Sequence, residues 1–390
     1  MEVLIIGALV GGVVALIALS AKRSRWTRET WTRTAEALGM SFDAGPHSTR
    51  YIHARRHLPE MFGRHDGQEL YIGVRSYTTG TGKNRTTHYY TYVDVIFDPA
   101  LKRGLGVRRA DGVSKFFGGI FGQRDVQIGH EQFDRDFRID GLDPGQVQGL
   151  LSRSDILETL QGHYGDFQPS ITDGRVRFEA RGILVEVDKV EPAIAPAVAL
   201  HRAVLESWQS LPRSAEETRI DAAWNRVCQR ANLSYQARGM RARGRTGDVH
   251  ARMEVLLSEQ MAWSTEIEAV FDPPLAVGLA VTREGAMAGI AKLFGAQDIE
   301  TGDPSFDRQF VIKGKDAGRV KQILVPDART GLCELHRLVD ELVVSDDSVR
   351  VKLNTVADNE DRLFEILSSV TGTAQQMVSH RKVTPAGPYR

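Results

Sequence analysis

Phe133-Asp134-Arg135-Asp136-Phe137-Arg138-Ile139-Asp140-Gly141 returns later in the chain as Phe306-Asp307-Arg308-Gln309-Phe310-Val311-Ile312-Lys313-Gly314. Over residues 132–151 and 305–324, ten of twenty positions are identical at a constant offset of 173 residues. Upstream, Phe97-Asp98-Pro99-Ala100-Leu101 is matched by Phe271-Asp272-Pro273-Pro274-Leu275. A repeat of this length requires a unit that folds twice, and 390 residues leave room for two ordinary cores.

Each copy reads as helix, strands, short helix, strand, helix pair, hairpin, helix. In the first, residues 27–40 show helical spacing of Trp31, Ala35 and Leu38, ending at Gly39. Residues 70–74 and 89–97 read as strands joined by a polar tip over 78–88, and residues 113–121 as a short helix. The Phe-Asp-Arg motif reads as a strand. A helix opens at Pro144, another carries Leu157 and Leu160, and residues 176–179 with 183–187 read as a hairpin before a helix over 193–210. The second copy restarts with a helix over 220–231, where Trp224 answers Trp31. Strands over 249–257 and 263–271, a short helix over 286–294, helices over 317–324 and 330–339, a hairpin over 342–353 and a helix over 360–377 complete it. Strands grouped by hairpins, not alternating with helices, make the expected class α+β, as two tandem copies of a mixed helix and antiparallel-sheet domain. The expected divisions are an anchor with basic flank (1–25), repeat 1 (26–211), a linker (212–219), repeat 2 (220–380) and a loose tail (381–390).

Residues 3–21 form an uncharged stretch of 19, which at ~1.5 Å per helical residue spans a hydrocarbon core of about 30 Å. A signal peptide competes, because Ala18-Leu19-Ser20-Ala21 offers small residues. Met1-Glu2 brings no basic residue before the apolar run, whereas secretory signals begin with positive charge. Lys22, Arg23, Arg25 and Trp26 follow it, the flank of a cytoplasmic membrane interface. The expectation is an uncleaved single-pass helix in the cytoplasmic (inner) membrane, with both copies facing the cytoplasm. Gly7, Gly11 and Ala15 recur every four residues, which permits self-association of the span, although glycine is common in membrane helices.

Fifty basic residues balance fifty acidic ones, so no overall field draws in nucleic acid. Cys228 and Cys333 stand 105 residues apart, too sparse for a disulfide framework or a cysteine-built zinc site. Each falls on the apolar side of a predicted helix and reads as a core residue. No Gly-x-Ser-x-Gly, His-Glu-x-x-His or dinucleotide-binding glycine motif occurs, so no catalytic, cofactor or metal residues are assigned. His47, His53, His57 and His65 fall close together, but Arg50, Arg55 and Arg56 among them would repel a cation, and a basic surface loop is the better reading. His163 and His336 hold equivalent places, which favours a packing or capping role.

Two arginine-bearing features remain. In a strand, Phe133, Arg135, Phe137 and Ile139 share one face, as do Phe306, Arg308, Phe310 and Ile312. An inward Arg135 or Arg308 then serves either as a clasp, stacked on aromatics or paired with Asp98 or Asp272, or as an anion pocket. The tip Gly80-Thr81-Gly82-Lys83-Asn84-Arg85 lacks the first glycine and the hydroxyl of a phosphate loop and reads as a solvated turn. Its Lys83 and Arg85 are candidate contacts for anionic lipid or an acidic partner.

The apolar N-terminus, the tip Gly82-Lys83-Asn84-Arg85, the Phe-Asp-x-x-Phe motif, a helix ending near Leu324-Val325-Pro326 and a hairpin around Asp346-Asp347 together resemble bacterial membrane-anchored proteins of domain families of unknown function. The first copy departs at Leu151-Ser152, which lacks the proline. The resemblance implies a bacterial, cytoplasm-facing, single-pass protein and supplies no activity. The function expected is an interaction or scaffold protein, whose duplicated module offers a groove between halves to a protein partner. A small-molecule or lipid-headgroup sensor using Arg135 or Arg308 is the alternative, and a hydrolase or transferase without a recognisable motif the weaker one.

Overall fold

A computed structural model describes residues 28–43, 60–80, 84–110, 126–258, 262–283 and 297–381. The chain divides into two compact units, Met1–Leu211 and Pro212–Arg390. Unit 1 opens with helix α1 (28–37) and strands β1 (Ser41–Asp43), β2 (Glu60–His65), β3 (Gln68–Thr79), β4 (Thr86–Ile96) and β5 (Gly106–Arg109). It continues through α2 (Glu131–Asp136), β6 (Phe137–Asp140), α3 (Pro144–Leu150), α4 (Ser154–Gln161), β7 (Gln168–Thr172), β8 (Arg175–Arg181) and α5 (Val187–Ser210). Unit 2 runs α6 (Ala215–Ala231), β9 (Ser234–Gln236), β10 (Arg241–Thr246), β11 (Val249–Leu257), β12 (Trp263–Phe271), β13 (Ala280–Arg283) and β14 (Gln297–Asp298). Then come α7 (Pro304–Asp307), β15 (Phe310–Gly314), α8 (Ala317–Ile323), α9 (Pro326–Leu338), β16 (Glu341–Ser345), β17 (Ser348–Leu353) and α10 (Glu360–Ser379).

The sheets repeat strand for strand. Sheet 1 has the order β1-β2-β3-β4-β8-β7-β5-β6, and sheet 2 has β9-β10-β11-β12-β17-β16-β13-β15, with β14 added at the β15 edge. Every described pairing is antiparallel. The protein is therefore a duplicated α+β module. Alternation sorts each strand into two faces. In β4, Val93 and Val95 join α5 residues such as Ala197, Leu200 and Val204 in one core, while Tyr92 and Asp94 point the other way. In β12, Ile267 and Ala269 meet Val370 and Ala374 of α10, and Glu266 and Glu268 point away.

Matching hydrogen bonds pin both copies. Asp98-Pro99 and Asp272-Pro273 are both cis. Beside them, the Asp173 carboxylate accepts from the amides of Arg103, Gly104 and Leu105 at 2.8, 2.7 and 3.2 Å. Asp346 accepts from Val277, Gly278 and Leu279 at 3.1, 2.7 and 2.9 Å. Thr91 donates to the Gly182 carbonyl and accepts from the Leu184 amide, and Thr265 does the same with Thr355 and Ala357.

Several expectations are corrected. The Phe-Asp-Arg motif is a helical turn, not a strand. His130 caps α2 and Asp303 caps α7, and the motif's Asp134 and Asp307 reach back to two amides each, which closes the turn. The hairpin before α5 is β7–β8, turning at Asp173-Gly174, and residues 183–186 lead into α5, which starts at Val187. The linker is mostly helix: Ser214 and Glu217 form a capping box that starts α6 at Ala215, ahead of residue 220. Proline at the first helical position likewise starts α9 at Pro326. Strand 263–271 agrees with β12, 249–257 with β11, and α10 runs two residues past the expected 377.

The predicted span, its flank Lys22, Arg23, Arg25 and Trp26, the short helices at 113–121 and 286–294, Lys83, His47, His53 and His57, and tail residues 382–390 lie outside the described residues. Among the described residues no helix is long and apolar enough to cross a membrane.

Candidate interaction surface

The side of sheet 1 opposite the helices is charged and aromatic. Asp94, on β4, sits directly across from Arg177 on β8 and accepts two hydrogen bonds from it, each 2.7 Å, plus one from Arg175 at 2.8 Å. Burial raises the Asp94 carboxyl, but the two guanidinium groups outweigh it and hold the group below the usual carboxylate range. Arg75 clasps Glu179. Tyr92 lies under Arg177, 4.5 Å from ring centre to guanidinium carbon, and its hydroxyl donates to Glu60 at 2.8 Å. Gly73 opposite is a requirement of that ring, since a Cβ there would lie 2.4 Å from the Tyr92 hydroxyl.

From this platform the β3–β4 hairpin projects as an arm. β2 covers β3 only as far as Gly73, and β8 covers β4 only from Tyr90. Beyond, Ser76–Thr79 and Thr86–Tyr89 pair only with each other among the described strands. The equivalent ladder of unit 2 ends at Leu257 opposite Trp263, the rung that matches Ser76 opposite Tyr89. Unit 1 thus carries three extra rungs, roughly 10 Å at 3.4 Å per residue. On one side of the arm Tyr77 stacks between His88 (4.9 Å) and Tyr90 (5.4 Å), and Arg75 lies over Tyr90. On the other, Thr78 and Thr87 pair their hydroxyls at 3.2 Å. Residues 70–93 contain no Asp or Glu.

At the arm's base the Gly182 amide donates to the Tyr89 carbonyl at 2.8 Å, which ties the residue before Ile183 to the strand at Tyr89. These are the two large hydrophobic side chains that stand exposed among the described residues, at 42% for Tyr89 and 46% for Ile183. Neither stands out in the sequence, where Tyr89 opens the run Tyr89-Tyr90-Thr91-Tyr92 and Ile183 the run Ile183-Leu184-Val185, and only the β8-to-α5 turn places both at the arm's base. Arg85 is exposed at the arm's tip, and Lys83 lies outside the described residues.

Arg135 and Arg308 do not point inward. Both are exposed, and Arg308 Nε donates to the Pro304 carbonyl at the foot of its own helix. The two phenylalanines meet each other instead, stacked at 4.2 Å for Phe133–Phe137 and tilted at 4.7 Å for Phe306–Phe310. The arginine that meets them comes from the neighbouring strand: Arg109 lies across from Phe137 with its guanidinium 5.7 Å from the ring. Its counterpart Arg283 lies across from Phe310 and donates to the carbonyls of Val339 (2.8 Å) and Asp340 (2.9 Å) and to His336 Nδ1 (2.6 Å). Both cap the end of the helix that packs there, where exposed carbonyls favour a cation. His336 thus serves the cap, while His163 is exposed.

The remaining reactive groups are held in structural roles. Burial pushes the Cys228 thiol up to about 11 and raises that of the half-buried Cys333. Burial, reinforced by the hydrogen bond shared with Tyr77, pushes Tyr90 to about 12, so it stays a neutral phenol. Among the described residues no three His, Cys, Asp or Glu side chains gather as a metal site. No family model matches the chain, and no curated protein or solved structure shows significant similarity to it.

Proposed function

We infer that this chain is a membrane-tethered interaction protein, anchored in the cytoplasmic membrane by residues 3–21, whose partner surface is the arm of unit 1. The observation that carries this reading is the placement of Tyr89 and Ile183. The large apolar side chains that stand exposed among the described residues both fall at the base of an acid-free hairpin that the second copy lacks. A duplicated fold needs none of that extra length, since unit 2 closes its sheet without it. Tyrosine, threonine and arginine on a projecting ribbon give large contact area and adaptable hydrogen bonding at small entropic cost. The acid-free arm suits a partner with carboxylates at its contact surface.

The test is photo-crosslinking in native membranes from a benzoylphenylalanine placed at position 89 of the full chain. The expected result is one reproducible crosslinked protein. It is lost when residues 77–88 are replaced by an Asn-Gly turn that joins Ser76 to position 89. An unchanged crosslink with the shortened arm, or none with the intact arm, would sink the reading. Tyr89→Ala weakens the contact by about 2 kcal/mol if this side chain is an anchor of the interface, yet alters folding stability by no more than about 0.5 kcal/mol.

A further inference from the structure

Because the two sheets repeat strand for strand, a difference in charge at one shared position reports something specific to one copy. On the outer side of sheet 1, β2 and β3 set Phe62 opposite Tyr71 and Arg64 opposite Glu69. The same rungs of sheet 2 set Arg243 opposite Arg252 and Arg245 opposite His250. The equivalence is fixed by the next strand, where Tyr71 meets Asp94 and Arg252 meets Glu268, each three residues before the Phe of Phe-Asp-Pro. An aromatic rung and an ion-pair rung have become three arginines and a histidine.

Like charges directly opposite one another destabilise a sheet. Within unit 2 the neighbouring strand relieves Arg252, which stands across from Glu268, but not Arg243. Arg243 has no carboxylate within 4.0 Å among the described residues, and Arg245 Nε donates only to the Gly247 carbonyl. Arg252 reaches Glu268 at 3.7 Å, and His250 reaches Asp272 at 3.4 Å. Arg243, Arg245 and Arg252 are all exposed. Arg243 and Arg252 line a depression of about 120 Å³ with Arg241, which is held by Glu254 at 2.9 Å, and with Glu266 and Glu268, the latter directly across from Arg252. That is room for a phosphate group. Planar guanidinium forks from two facing strands match the oxygens of a phosphate group, and binding one removes the repulsion that the empty rung carries.

We propose that the Arg243–Arg252 rung, with Arg245 beside it, binds a phosphate group, carried by a free phosphorylated compound or by a lipid headgroup. The site belongs to unit 2, whereas the arm belongs to unit 1.

The experiment is hydrogen exchange of the full chain in phosphatidylcholine nanodiscs. Exchange is followed at β10 and β11, with α10 as the reference for global folding. Millimolar pyrophosphate slows β10–β11 exchange several-fold if a soluble phosphate suffices. A slowing seen only in nanodiscs that contain phosphatidylglycerol assigns the headgroup as the source. The variant R243F/R252Y copies the Phe62–Tyr71 rung of the first unit, and it slows β10–β11 exchange without any anion while abolishing the response to one. Arg64→Gln, at the matching edge of unit 1, leaves the response intact. The proposal is overturned if neither pyrophosphate nor anionic lipid changes exchange in the unsubstituted chain, or if R243F/R252Y keeps the response.

Discussion

His201 lies on α5 with its ring stacked 4.5 Å from Phe97 and its Nε2 3.1 Å from the Ile96 carbonyl. Burial lowers its pKa to about 4 from the ordinary 6.5. The unfolded chain therefore takes up a proton at a pH where the folded chain does not, and unit 1 loses stability as pH falls from 6.5 toward 4. With a shift of this size the loss amounts to about 3 kcal/mol. Urea unfolding at pH 7 and pH 4.5 checks this: His201→Gln loses most of the difference, and an undiminished difference contradicts the assignment. Asp94 offers a second contrast. Asp94→Asn strands Arg175 and Arg177 against a buried neutral amide and costs about 3 kcal/mol. Glu268→Gln, at the matching place in unit 2, costs under about 1 kcal/mol because its partner Arg252 is exposed and 3.7 Å away. Equal costs would show that the two rows are energetically alike. At this scale the sequence pointed to a guanidinium on an aromatic ring but misplaced it. Phe133 and Phe137 are four apart, a spacing that shares a face in helix and strand alike, so the motif alone could not say which period applied. The stacking arginine, Arg109, comes from β5, 28 residues earlier, and only the register of the sheet identifies it.

Among elements, the strongest shared device is the aspartate at the β7–β8 and β16–β17 turns. Removing the side chain leaves three amides without their acceptor, so Asp173→Ala and Asp346→Ala are each expected to cost about 2 kcal/mol. Thermal unfolding that showed a loss in one variant and none in the other would contradict their equivalence. Ser214→Ala, which opens the α6 capping box, costs about 1 kcal/mol. The long alternating strands and the terminal helices were legible because burial imposes one clear period on each. The start of α6 was missed although Ser214 and Glu217 carry the capping signature, because the apolar pattern begins only at Ile220. The β7–β8 turn was missed although Asp173-Gly174 is a hairpin signal, and the polar residues around it masked the alternation of β7. The arm could be read as a hairpin with a polar tip, but its projection could not, since that depends on where β2 and β8 stop.

For the whole molecule, the duplication was legible because ten identities in twenty positions at a fixed offset survive alongside diverged surfaces. What distinguishes the copies lies on those surfaces: an arm and an apolar pair in unit 1, an arginine rung in unit 2. The proposed function places this molecule at a membrane, and that rests on residues 3–21 remaining attached as a span. The direct measurement is carbonate extraction of membranes that contain the full chain, followed by N-terminal sequencing and protease treatment of sealed and opened vesicles. The expected result is a chain retained in the carbonate-washed pellet, starting at its original N-terminus, with the arm and unit 2 cut only from the cytoplasmic side. A chain released by carbonate, or one beginning at or near Lys22, would contradict it.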